Sequence, residues 1–159
     1  IQAGDNNTAS MLQNAFGSPN GNGNTGRQEQ YGNGNTSGLM QNGNDHLALQ
    51  WQMGDNNTAI STQRGRNNNL NVLQEGNGSY AQSIQHGKNN IALITQRDGQ
   101  SYTVRQNEGQ FGAGTGGNQA DILQEGPFGT GVQNTFIQVS PQSVTAPHSV
   151  SSFTLAPIN

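Results

Sequence analysis

The groups in this chain that could move protons or hold a metal are few and scattered. His46, His86 and His148 are the only imidazoles, and none falls in a metal-ligand or catalytic-triad spacing. His46 stands where neighbouring repeats carry an amide, and His86 stands in a turn. The acids Asp5, Asp45, Asp55, Glu75, Asp98, Glu108 and Glu125 fall mostly in turns, where charge limits premature association. Gly4-Asp5-Asn6-Asn7 and Gly54-Asp55-Asn56-Asn57 invite a calcium β-roll reading. That roll needs a Gly-Gly-x-Gly-x-Asp nonapeptide supplying carboxylates every turn, and most turns here lack Asp. There is no cysteine, so no thiolate, disulfide or Cys nucleophile. The serines have no His/Asp constellation at meaningful spacing, and a thin periodic chain offers little concave volume for a carboxylate pair. The sequence predicts no enzyme, no cofactor and no metal site.

The chemistry that remains is that of the primary amide. Of 159 residues, 23 are Asn, 20 Gln and 23 Gly, whereas hydrophobic residues make up 29% and charged residues 9%. An ordinary globular enzyme is nearly half apolar and about a quarter charged. Charge-driven disorder needs a high net charge, and here it is −3. Such a chain is either prion-like low complexity or a periodic cross-β structure. Six basic residues against nine acidic ones leave no footprint for nucleic acid. Apolar runs such as Leu47-Ala48-Leu49 and Ile91-Ala92-Leu93-Ile94 are too short to insert in a membrane. Ile1-Gln2-Ala3-Gly4 reads as structural sequence rather than a signal peptide, so a mature or trimmed form is expected, its export signal, if any, gone.

A repeat decides between the two classes. Gln stands at positions 30, 41, 52, 63, 74, 85 and 96, an 11-residue period. Gly follows two residues later at Gly32, Gly43, Gly54, Gly65, Gly76 and Gly87, with Gly4 and Gly126 in the same frame outside the regular stretch. Five residues after Gln comes Asn7, Asn35, Asn57, Asn68, Ser79 or Asn90, with His46 as a variant, and the frame reappears later as Asn118, Ala120 and Gln124. Two further on lies a small or apolar residue such as Ala48, Ala59, Leu70, Ala81 or Ala92.

Asn, Ala, one further residue and Gln fall at i, i+2, i+4 and i+6, which is strand periodicity on one face. The intervening Gln-x-Gly-x-x makes a tight turn in which Gly takes positive φ. Ten strands are expected, ending at Gln13, Gln41, Gln52, Gln63, Gln74, Gln85, Gln96, Gln106, Gln124 and Gln138. Because the inward positions are identical, the strands should stack in register about 4.8 Å apart, Gln on Gln and Asn on Asn. Each amide then donates to the carbonyl on one side and accepts on the other. Two strands per rung give the predicted fold: an all-β, two-sheet β-solenoid of about 22 residues per rung. The position two before Gln (Met11, Leu39, Gln50, Ser61, Val72, Ser83, Ile94, Val104, Ile122, Phe136) would form a thin inner seam.

Residues 1–138 make the repeat region. Insertions are expected at 14–29, 107–117 and 127–131, and Gln96 to Gln106 is one residue short, expected to shift the register locally. Residues 139–159 lack the frame and read as a tail, a cap or a terminal strand such as Val150 to Leu155.

Ser79-x5-Gln85-x-Gly87-x2-Asn90-x-Ala92-x3-Gln96 resembles the curlin repeat of bacterial curli subunits. His46 to Gln63 matches with His in place of the first Ser, and Gln2 to Gln13 supplies the second half. The resemblance implies a secreted structural protein that polymerises outside the bacterial cell into functional amyloid fibres of the biofilm matrix. It also implies partners: other copies of the chain, a nucleating subunit, an outer-membrane secretion pore and periplasmic chaperones. The alternative reading is a monomeric surface solenoid, acting as an adhesin or a carbohydrate- or ice-binding protein. Just before each Gln, an outward row (Leu12, Met40, Trp51, Thr62, Leu73, Ile84, Thr95, Arg105, Leu123, Ile137) is mostly apolar. It reads either as β-propensity or as a stripe for lateral packing or adhesion.

Overall fold

The computed structural model describes residues 1–13, 23–106, 116–124, 133–138 and 143–146. These segments form thirteen strands and no helix: β1 (Gln2–Ala3), β2 (Thr8–Gln13), β3 (Thr25–Tyr31), β4 (Thr36–Asn44), β5 (Leu47–Met53), β6 (Thr58–Arg66) and β7 (Asn69–Glu75). Then follow β8 (Tyr80–Lys88), β9 (Ile91–Arg97), β10 (Ser101–Gln106), β11 (Gln119–Gln124), β12 (Gln133–Gln138) and β13 (Ser143–Ala146). Odd-numbered strands build one seven-stranded sheet and even-numbered strands a six-stranded one, each in chain order. Every pairing is parallel. The chain therefore alternates between the sheets, one strand at a time, as a two-sheet β-solenoid.

The 11-residue unit produces this arrangement because it is odd in strand terms but even in rungs. Each unit turns the chain from one sheet to the other, and two units return it in register, Gln52 beside Gln74 and Gln63 beside Gln85. Along each strand burial alternates, so Ala48, Ala59, Leu70, Ala81, Ala92 and Ala120 are sealed between the sheets with Val72, Ile94, Val104 and Ile122. Small residues at the first of these columns let the sheets approach.

Turns stack as closely as strands do. Gly54 has φ +109, and a Cβ there would lie 2.1 Å from the carbonyl oxygen of Gly76 in the next rung. Close backbone approach, as much as positive φ, therefore selects glycine. Each turn has a second left-handed position, at φ +58 in Asn56 and +54 in Asn67, with Gly34, Gly78 and Asp45 in the equivalent places. Sequence reading passed over it, although Gly, Asn and Asp are the residues that tolerate this conformation and occupy it throughout.

Four features differ from expectation. β3 begins at Thr25, inside the stretch 14–29 that reads as an insertion, and pairs with β1 and β5. Gly26, Arg27, Gln28 and Glu29 hide it, because they replace the Ala and apolar residues of other units. The second insertion ends sooner than 117: Gly116 already bridges Lys88, and Gly117 N–H donates to Lys88 O at 2.9 Å. The short unit keeps its register, Gln106 opposite Gln85. The missing residue comes out of the turn, where Asp98 takes the glycine place at φ +53 and the buried Gln100 takes the Asn column. Finally, the tail contributes β13, which pairs with β11 at Gln119↔Ser143. Val150 to Leu155, Gly126 and the insertion 127–131 lie outside the described residues.

Candidate functional site: two amide ladders and an open rung

Glutamine forms one continuous side-chain ladder in each sheet. In the odd sheet each Nε2 donates to the Oε1 of the next rung through Gln2, Gln30, Gln52, Gln74, Gln96 and Gln124, at 2.6, 2.9, 2.9, 3.0 and 2.9 Å. The even sheet runs through Gln13, Gln41, Gln63, Gln85 and Gln106 at 2.8, 2.9, 2.9 and 2.9 Å. Gln138 is opposite Gln106 in backbone register. Gln2 and Gln30 complete the predicted column, from which the unrecognised β1 and β3 had left them out.

The second amide proton crosses between the sheets. Gln74 Nε2 donates to Thr58 O at 2.9 Å, Gln85 to Asn69 O at 3.0 Å and Gln96 to Tyr80 O at 2.9 Å, each acceptor being the first residue of a strand opposite. A buried Gln thus uses both donors and its acceptor, holding one rung to the next and one sheet to the other. Full satisfaction makes a dry polar column tolerable.

Asparagine works differently from the expected Asn-on-Asn stacking. Its Oδ1 accepts from the backbone N–H of the residue one rung on: Asn7 from Asn35, Asn35 from Asn57 and Asn57 from Ser79, each at 2.9 Å. Its Nδ2 donates to a turn-glycine carbonyl of that next rung, Asn35 to Gly54 O and Asn57 to Gly76 O at 2.7 Å. From Asn7 to Ser79 this column therefore braces backbone rather than pairing side chain with side chain. Direct side-chain pairs occur at Asn90–Asn68 and Asn118–Asn90. The column also admits Asn24, whose Oδ1 accepts from His46 N–H at 3.0 Å.

His46 is 1% exposed and keeps the first of these contacts with a ring: Nδ1 faces Asn68 N–H at 3.3 Å, while Nε2 turns back to Asn42 O in its own turn at 3.2 Å. Those partners require the neutral ring with its proton on Nε2. Burial holds its pKa below the ordinary histidine range, opposed by the Asn42 carbonyl and the Asp45 charge.

The inner seam carries a polar cluster around Gln50 and is mostly apolar further on. Gln50 Oε1 accepts from Gln28 Nε2 at 2.9 Å and from Ser37 Oγ at 2.8 Å, while Gln50 Nε2 donates to Ser61 Oγ at 2.8 Å. From Val72 onward Ile94, Val104 and Ile122 fill the same row, interrupted by the buried Ser83.

Both ladders have a direction. Donors point toward the C-terminal rungs, so Oε1 of Gln2 and Gln13 is left as the acceptor end and Gln124 Nε2 has no partner at the other. On the first rung, all of β2 is exposed, including the inward-row Met11 at 40%. Among the described residues β1 and β2 are paired on one side only.

Stacked parallel strands, inward amide columns and turn-by-turn register define a two-sheet β-solenoid. Comparison with family models, curated proteins and solved structures finds no match to the chain.

Proposed function

We propose that this chain is a structural subunit of an extracellular fibre, polymerising by end-to-end stacking of solenoid rungs. The observation that carries the reading is the first rung. It presents unpaired strand edges, an exposed Met11 and two amide acceptors in the arrangement that every interior rung meets with its neighbour. An exposed strand edge is a template for another chain. A second copy docking its C-terminal rung there would extend both sheets, and the one-way ladders favour head-to-tail order.

The curlin-like repeat adds the setting: secretion, a bacterial cell-surface fibre in the biofilm matrix, adhesion, and a nucleating subunit, secretion pore and periplasmic chaperones as partners. Catalysis has no part in this role. Negative-stain microscopy after overnight incubation tests it, with thioflavin fluorescence following growth. Fibres should appear after a lag that preformed fibres abolish. A stable monomer at high micromolar concentration, with or without seeds, contradicts the reading.

A further inference from the structure

The two long edges of the solenoid differ in charge. Among the described residues, turns leaving the odd sheet lie on one edge and turns leaving the even sheet on the other, because all strands run parallel. The edge after the odd sheet carries Asp5, Asp55, Glu75 and Asp98, with Arg97 as the one cation among the described residues. Arg97 is held to Glu75 at 2.8 Å. The edge after the even sheet carries Arg64, Arg66 and Lys88, with Asp45 as the one acid among the described residues. None of those three cations is in an ion pair there, and Arg66 and Lys88 are exposed and adjacent in register.

Height matters as well as sign. Asp55 follows β5, and Arg64 and Arg66 end β6 of the same rung. A copy shifted sideways along the strand direction, without any shift along the stacking axis, therefore sets its Asp55 opposite the Arg64–Arg66 pair of its neighbour. One rung on, Lys88 meets the turn after Glu75.

The fold does not need these charges. Asn33 and Asn77 occupy the Asp55 column and Asn42 and Asn44 the two arginine columns. Asp55 Oδ1 accepts from Asn33 N–H as Asn77 Oδ1 does from Asp55 N–H.

We propose that copies of this chain pair side by side through these edges, the basic edge of one against the acidic edge of the next, so that fibres join laterally into ribbons. The contact is heterologous and does not close, so it propagates. This inference rests on the assembly reading above and extends it from the fibre axis to the fibre side. Contacts between exposed charges are screened within about 3–10 Å as salt rises, whereas growth along the axis rests on strand pairing and buried amides. Lateral and axial assembly should therefore respond differently to salt.

The test uses fibres of the full chain, imaged for bundle width and sedimented at low speed, at ~20 mM and ~500 mM NaCl. Wide ribbons at low salt should fall to single fibres at high salt, with the amount of fibre unchanged. Arg64→Gln/Arg66→Gln and Asp5→Asn/Asp55→Asn fibres should stay single at low salt. Ribbons whose width ignores both salt and the neutral variants overturn the proposal. So do ribbons dispersed only by Trp51→Ser, which would place the lateral contact on the outer face of the odd sheet. If the variants form no fibres, the salt series on the unaltered chain still decides. Failure of the unaltered chain to form fibres at all removes the assembly reading, and this one with it.

Discussion

Gln and Asn carry the same amide, one methylene apart, and the solenoid gives them different tasks. Gln reaches its counterpart in the next rung and a carbonyl in the opposite sheet, so it must donate twice and accept once. Asn reaches mainly the backbone of the next rung, accepting a backbone N–H and tying down a turn glycine. The difference shows in what each column tolerates. From Gln30 to Gln124 and from Gln41 to Gln106 the Gln ladders admit no other residue. The Asn columns admit His46, Ser79 and Gln100. A ladder that needs donor and acceptor together has no substitute among the natural side chains of that length, whereas an acceptor for one N–H has several.

The sharpest way to break that contrast is to keep shape and remove the donors. Gln74→Glu puts an acceptor-only group in a column that is 0% exposed, at roughly 3–5 kcal/mol for an uncompensated buried charge. Burial raises the pKa of that carboxyl above the unfolded value of about 4.3. Below that pH the protonated carboxyl still lacks one of the two donors, so the variant should be about 1–3 kcal/mol less stable than the parent, and it should lose further stability as pH rises through neutrality, read by denaturant melts at several pH values. A flat pH profile would mean the column is open to water.

Truncation comes next. Gln85→Ala leaves Gln106 Oε1 and Asn69 O without their donor, at roughly 1–3 kcal/mol per buried group. Gln96→Ala should behave alike, and both should slow fibre elongation. Gln82, outward on the same strand, is the control, and its replacement by Ala should change stability by less than about 0.5 kcal/mol. Equal effects at all three positions would reverse the assigned faces.

The Asn column should yield less and discriminate by chemistry. Asn57→Ala orphans Ser79 N–H and Gly76 O, at about 1–2 kcal/mol. Asn57→Ser should cost less, because Ser79 already stands in that column. Chemical denaturation of the pair checks the order.

The smallest effect is His46. Its folded pKa is lowered, chiefly by burial, so the unfolded chain takes the proton more readily. The stability it contributes is complete above the unfolded value of 6.5 and is lost as pH falls below it, with a slope of at most about 1.4 kcal/mol per pH unit. His46→Asn should remove that slope between pH 7 and the acid limb. An unchanged slope would assign it to other groups.

The Gln period was legible because each ladder member must be the same residue, and it located both sheets. Alternation along each unit exposed the inward Ala column for the same reason. β3 was not legible, since its inward Gly26 has no side chain and its inward Gln28 donates to Ser10 O and Gln50 Oε1 instead of repeating the pattern. The Gln50–Ser37–Ser61 cluster joins residues of opposite sheets, at separations of 13 and 11, and no single column announces it. Asn pairs with its twin at Asn68, Asn90 and Asn118 but braces backbone from Asn7 to Ser79, because spacing reports which residues align, not whether a side chain meets its twin or a backbone group.

Mass per unit length of the fibres, measured by scanning transmission microscopy, tests the central claim most directly. End-to-end stacking of six or seven rungs at about 4.8 Å each places one 16.8 kDa chain in every 30 Å or so. Single fibres should therefore carry about 0.6 kDa per Å, which is the chain mass spread over that rise. A value near one chain per 4.8 Å, about sixfold higher, would describe chains lying flat in register as in generic cross-β. That result would contradict a fibre built from intact solenoids.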